Sequence, residues 1–108
     1  MIRLRVSEAA ALSILEQADY YREVAEASLA AQWEAAIDGA IHSLLQLPER
    51  GAPCRFLHSE LARLRWIPIS GFPRHMIFYR YDEAESSVLV VQIMHGARDI
   101  DAILNEES

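Results

Sequence analysis

Apolar and polar positions alternate at the start of the chain. In "IRLRV" (2–6), Ile2, Leu4 and Val6 fall on one face and Arg3 and Arg5 on the other. A period of two predicts a strand with one face buried. Ser7 then offers an N-cap to a run, "EAAALSILEQADYYREVAE", that has no Gly or Pro and is rich in helix formers. Its apolar stripe is patchy: Leu12, Leu15, Ala18 or Asp19, Tyr21 and Val24. A break is expected near Ala27–Ser28, where Ser28 can cap a second helix. That helix carries the clearest pattern in the chain: Trp33, Ile37, Ala40, Ile41, Leu44 and Leu45 recur at three and four residues. Pro48 ends it, since the residue before a proline is pushed out of helical geometry. Two helices joined this tightly form an antiparallel hairpin.

Residues 48–60 read as a loop by their Pro and Gly content. Three strand patterns follow. "LRWIPI" (64–69) contains Pro68, which places it at an edge or a bulge. "RHMIFYRY" (74–81) and "SVLVVQIM" (87–94) flank the polar turn "DEAES" (82–86) and so pair as a hairpin. "VLVVQIM" is apolar enough for a central strand, with Gly96 permitting the turn that leaves it. "ARDIDAILNEES" predicts a short C-terminal helix with Ile100, Ile103 and Leu104 on one face. Helices followed by strands make an α+β domain. An N-terminal strand and an antiparallel helical hairpin pack on a mostly antiparallel sheet, with residues 1–108 as one unit.

At 108 residues, 52% of them hydrophobic, the chain can bury a core without staples. It has no run long enough to cross a bilayer and no signal-peptide layout. Its lone Cys54 suits a reducing, cytoplasmic setting. The net charge of −6 argues against general nucleic-acid binding. The charge is uneven, however. Residues 1–48 hold three arginines against seven acids, residues 49–81 six against two, and residues 82–108 one against seven. A basic middle therefore lies between acidic flanks.

The patterns of several chemistries are missing. The four glycines at 39, 51, 71 and 96 make no phosphate loop. His42, His58, His75 and His95 lack zinc spacing, so no metal or cofactor is expected. Glu16, Asp19, Glu23 and Glu26 read as a solvated helix face. In "RHMIFYRY", parity puts His75, Ile77, Tyr79 and Tyr81 on one face and Arg74, Met76, Phe78 and Arg80 on the other; the buried face is left open. Arg65 and Ile67 share a face opposite Trp66. Arg65, Arg74, Arg80, His95 and Arg98 are the residues that could converge on the sheet. Such a cluster can stabilise a phosphate transition state, with His95 or Tyr79 moving the proton. Arginines that pair with the acidic flanks are the plainer alternative.

Three pieces in order, "LPERG", "GFPRHMIFYR" and "MHGARDI", carry a family resemblance. With them the chain resembles the RelE/ParE toxin superfamily of type II toxin–antitoxin modules, in its ParE branch, over nearly its whole length. The resemblance implies the fold above and a cognate antitoxin whose helix and extended tail wrap the toxin as a hetero-oligomer. ParE-like members inhibit DNA gyrase and are not known as nucleases. RelE-like members cut mRNA on the ribosome with basic residues and a Tyr or His. Here Met76 stands where nuclease members place an Arg, and Gly96 follows His95 where some carry a Tyr. Gyrase is therefore the expected target. The alternatives are a ribosome-dependent mRNA endonuclease using Arg74, Tyr79, Arg80, His95 and Arg98, or a non-toxic relic that still binds antitoxin. Partner contacts are expected at Trp33, Ile37, Arg65, Trp66, Arg80, His95 and Arg98, with the tail "DAILNEES" as a further surface.

Overall fold

A computed structural model describes residues 1–54 and 64–96. The predicted C-terminal helix, with Arg98 and the tail, lies outside the described residues. The element order is β1 (Arg3–Val6), α1 (Glu8–Val24), α2 (Ala27–Gln46), β2 (Ala52–Pro53), β3 (Arg65–Ile69), β4 (Phe72–Asp82) and β5 (Ser87–His95). The strands form one sheet in the order β1-β5-β4-β3-β2. β1 runs parallel to β5, and the other neighbours are antiparallel. This is the predicted α+β arrangement, with the short β2 added inside the stretch read as loop.

Ser7 joins the two layers. Its side chain accepts from the Ala10 amide at 3.0 Å and caps α1, while its hydroxyl donates to the Val91 carbonyl at 2.6 Å. The cap that sets the helix start thereby ties it to β5, next to the edge strand β1. α2 starts differently from expectation. Its N-cap is Glu26, without a side-chain cap, and Ser28 lies inside the first turn. The helix stops at Gln46, just ahead of Leu47–Pro48, as the proline requires.

α2 buries the predicted stripe, with Trp33, Ile37 and Leu44 almost wholly covered. α1 does not. Ala10 and Ala18 are its buried residues, Ile14 and Tyr21 pack against the core, and Leu12, Leu15 and Val24 are exposed. Small residues on the inner side of α1 let the helix approach the sheet closely, so the bulky leucines are turned outward. On the sheet, Ile67, Ile69, Ile77, Tyr79, Val88, Val90 and Ile93 complete the core under the helices. The parity left open by sequence is thus resolved: the face with His75, Ile77, Tyr79 and Tyr81 lies beneath the helices. Phe78 belongs to a second cluster with Cys54 and Leu64, packed by Trp66, Met76, Val91 and Met94.

Candidate functional site

The β4–β5 register builds the site. His75 pairs with His95, Met76 with Met94, and Ile77 with Ile93. The register shifts beyond Phe78, which opposes Gln92 while Tyr79 opposes Val90. A bulged residue changes which side chains reach the helix-facing side, and Val90 and Ile93 are both buried there. Gly71, at φ +84°, makes the tight turn that starts β4 at Phe72.

At this end of the sheet an aromatic chain runs from helix to strand. Tyr21, Trp33 and Phe72 are mutual ring neighbours; the Trp33 and His75 rings are 5.0 Å apart, and those of His75 and His95 5.3 Å at 86°. The Trp33 indole N–H donates to the Ile14 carbonyl at 3.1 Å, which fixes its ring. Beside this chain lies a cavity of about 590 Å³. Ser13, Glu16, Gln17 and Tyr20 reach it from α1, Arg74 and His75 from β4, and Gln92 and His95 from β5. Two imidazoles, one guanidinium and one carboxylate thus share a cleft of ligand-site size.

The sequence expectations separate on this geometry. His95 and Arg74 line the cavity. Arg80 is exposed on the sheet face turned away from the helices, and Arg98 lies outside the described residues. Tyr79 is fully buried, and its hydroxyl is occupied: it donates to the Pro48 carbonyl at 2.8 Å and accepts from the Gly51 amide at 2.9 Å. Its role is therefore structural, contrary to its place among the proton-moving candidates. Arg65 reinforces the same loop by donating to the Gly51 and Glu49 carbonyls at 2.8 and 3.1 Å. Burial pushes the Tyr79 phenol above its ordinary value, against the lowering pull of the Gly51 amide and the Arg65 and Arg50 charges. Gly51 is required there, since a Cβ would sit 2.5 Å from the phenol oxygen and 2.9 Å from the Trp66 carbonyl oxygen.

Trp33 and Ile37, expected as partner contacts, are 0% and 2% exposed and belong to the core, with the Trp33 ring also lining the cavity. Trp66 and Arg65 are half-buried. Met76 projects to the opposite face from His75, into the Phe78 cluster. Gly96, read as a turn residue, has no positive φ, and a Cβ there meets only ordinary contacts at 3.5 Å. What sequence reasoning missed is the pairing of His75 with His95 and the helix side of the cavity. Only the strand register brings those histidines together, and Glu16 reads from sequence as one more solvated acid. Among the described residues, no group of three His, Cys, Asp or Glu could hold a metal, and no helix is long and apolar enough to cross a membrane.

Residues 4–100 match a family profile described as the ParE toxin of the type II toxin–antitoxin system, parDE. Solved structures of toxin–antitoxin systems share the fold, among them the following three. The chromosomal ParDE system from P. aeruginosa aligns at TM-score 0.70 with 16% identity, covering 88% of this chain and 96% of that one. The RelBE2 toxin–antitoxin complex from Mycobacterium tuberculosis aligns at 0.60 with 20% identity, covering 87% and 90%. The intact E. coli RelBE complex aligns at 0.58 with 12% identity, covering 91% and 100%. No curated protein sequence matches the chain.

Proposed function

The chain belongs to the ParE toxin family of type II toxin–antitoxin systems, and on that premise we propose that it inhibits DNA gyrase and is held inactive by a cognate antitoxin. The observation that carries the reading is the ParE match across residues 4–100. Geometry supports it from the side of chemistry. General acid–base cleavage needs its proton carriers within reach of one reacting group. Tyr79 is locked into a structural loop, and Arg80 faces away from His95. An antitoxin partner is supported by the similar folds of the RelBE complexes from M. tuberculosis and E. coli. The test is supercoiling of relaxed plasmid by gyrase with increasing purified protein. Inhibition that is relieved by the antitoxin is expected; unaffected supercoiling at large molar excess rejects the gyrase target.

One observation favours a second reading, mRNA cleavage on the ribosome. Arg74, His75 and His95 line one cleft, and imidazoles can act as acid and base near neutral pH. Under this reading, cleavage of translated mRNA is abolished by His95→Ala. Cleavage that persists in that variant removes the proposed site.

A further inference from the structure

α1 carries two stripes on its inner side. Ala10, Ile14, Ala18 and Tyr21 pack into the core. Ser13, Glu16, Gln17 and Tyr20, spaced at three and four residues, form a second stripe beside it and line the cavity. Leucines take the outer side instead, with Leu12 and Leu15 56% and 63% exposed. A helix packed on a sheet ordinarily keeps apolar groups inward and polar ones outward. Packing alone therefore does not account for the polar stripe.

The sheet answers with a polar group of its own. Successive residues of a strand point to opposite faces. Gln92 and Ile93 are neighbours, yet both line the cavity. Phe78 opposes Gln92 and Tyr79 opposes Val90, so Val91 is the extra residue of a bulge. The bulge brings an amide to the cavity between buried Val90 and Ile93.

The groups at this cavity define what fills it. Glu16, Arg74 and Gln92 make no ion pair or side-chain hydrogen bond among the described residues. The Arg74 guanidinium is a planar fork that suits a phosphate or carboxylate. Glu16, on the helix wall, accepts from N–H groups and repels a second anion, while Gln17 and Gln92 both donate and accept. Tyr20 and Tyr21, their ring centroids 6.0 Å apart, supply aromatic surface. A long polyanion meets the repulsion of a chain at net −6, which a ligand with one anionic group meets far less.

We propose that the cavity binds a small, flat heterocycle that has N–H donors and carries one anionic group. The anion is a phosphate, as in a nucleoside monophosphate, or a carboxylate, as in an indole acid. It lies at Arg74. The ring rests on the aromatic side chains, with its N–H toward Glu16 and its polar edge toward Gln17 and Gln92. The proposal goes beyond the choice of target: it gives the toxin a small-molecule ligand and is the same for gyrase and ribosome.

The test titrates the full chain with guanosine monophosphate, indole-3-acetate, guanosine and inorganic phosphate, while following backbone amides by NMR. Guanosine monophosphate or indole-3-acetate is expected to bind and to shift the Gln17, Gln92 and His95 amides; the tighter of the two identifies the anion. Guanosine and phosphate, each half of a ligand, bind about tenfold more weakly or worse. Arg74→Gln and Glu16→Ala each weaken binding by about five- to tenfold. The Glu16 result is decisive, because simple attraction of an anion to Arg74 grows when a neighbouring carboxylate is removed. Both side chains are exposed, and an unchanged Tm verifies that each variant folds. Arg80→Gln, on the opposite face of the sheet, leaves binding unchanged. No binding of either compound at millimolar concentration, equal binding of guanosine or phosphate alone, or tighter binding in Glu16→Ala overturns the proposal. So does polyuridylate that displaces the bound compound from these residues, a result that assigns the cleft to RNA.

Discussion

Tyr79→Phe separates a structural tyrosine from a catalytic one. The substitution keeps the ring in its buried slot and removes only the hydroxyl. Two main-chain groups lose their partner: the amide of buried Gly51 and the carbonyl of half-buried Pro48. An unsatisfied buried donor costs about 1–3 kcal/mol, and the Pro48 carbonyl, which water can reach, costs less. A total near 2 kcal/mol follows from those ranges, or a fall in Tm of roughly 10 °C for a domain of this size. The assay is thermal and urea unfolding followed by circular dichroism. A drop in Tm below about 2 °C refutes the lock, since one lost buried bond alone exceeds it. Gly51→Ala provides an independent check, because its Cβ collides with the same hydroxyl and with the Trp66 carbonyl. Alone it destabilises by about 1–3 kcal/mol through overpacking. Combined with Tyr79→Phe it costs less than the sum, because the hydroxyl is the nearest clash. Full additivity would show that the Tyr79 hydroxyl is not what the Cβ meets, since the Tyr79 ring carbon and the Trp66 carbonyl remain in both backgrounds.

Other expectations follow from the same packing. The Tyr79 phenol is raised above its ordinary value of 10.0 by burial, so the folded state holds its proton after the unfolded chain has released it. Stability from this group is complete below pH 10 and is lost as pH rises further; urea midpoints against pH decline less steeply there for Tyr79→Phe than for the parent. Cys54, 7% exposed and with its thiol pushed above 9.0 by desolvation, reacts with an aromatic disulfide reagent at pH 8 far more slowly in the folded protein than in denaturant; equal rates refute its burial. Trp33→Ala costs about 3–5 kcal/mol, whereas Leu15→Gln, at a residue 63% exposed, stays within about 0.5 kcal/mol. Equal losses at the two sites, measured by urea unfolding, contradict the packing of α1.

Several elements were legible because one local rule governed each. The α2 stripe has a regular period and a proline stop, and the structure buries Trp33, Ile37 and Leu44 as that period requires. The β4–β5 hairpin follows from two apolar runs around a polar turn. Pro68 sits at a register shift, as a residue without an amide donor should. The α1 face was misread because its leucines outweigh its alanines in any apolar count. Close approach of helix to sheet favours Ala10 and Ala18, and that choice depends on the surface opposite. The same holds for Ser28: a good capping residue is used only if the chain enters the helix there.

The sequence by itself determined the succession of β1, the two helices and the three long strands, the α2 core stripe and the family motifs, because these depend on spacing along one segment. Tertiary structure decided what each polar side chain does. His75 meets His95 through strand register. Tyr79 becomes a loop lock because Gly51 and Pro48 are brought to its hydroxyl from a distant part of the chain. Arg5 and Arg80 flank Leu89 because β1 pairs in parallel with β5. Local periodicity says which face a residue takes. Only the pairing of distant segments says what it meets there, and chemistry depends on that meeting.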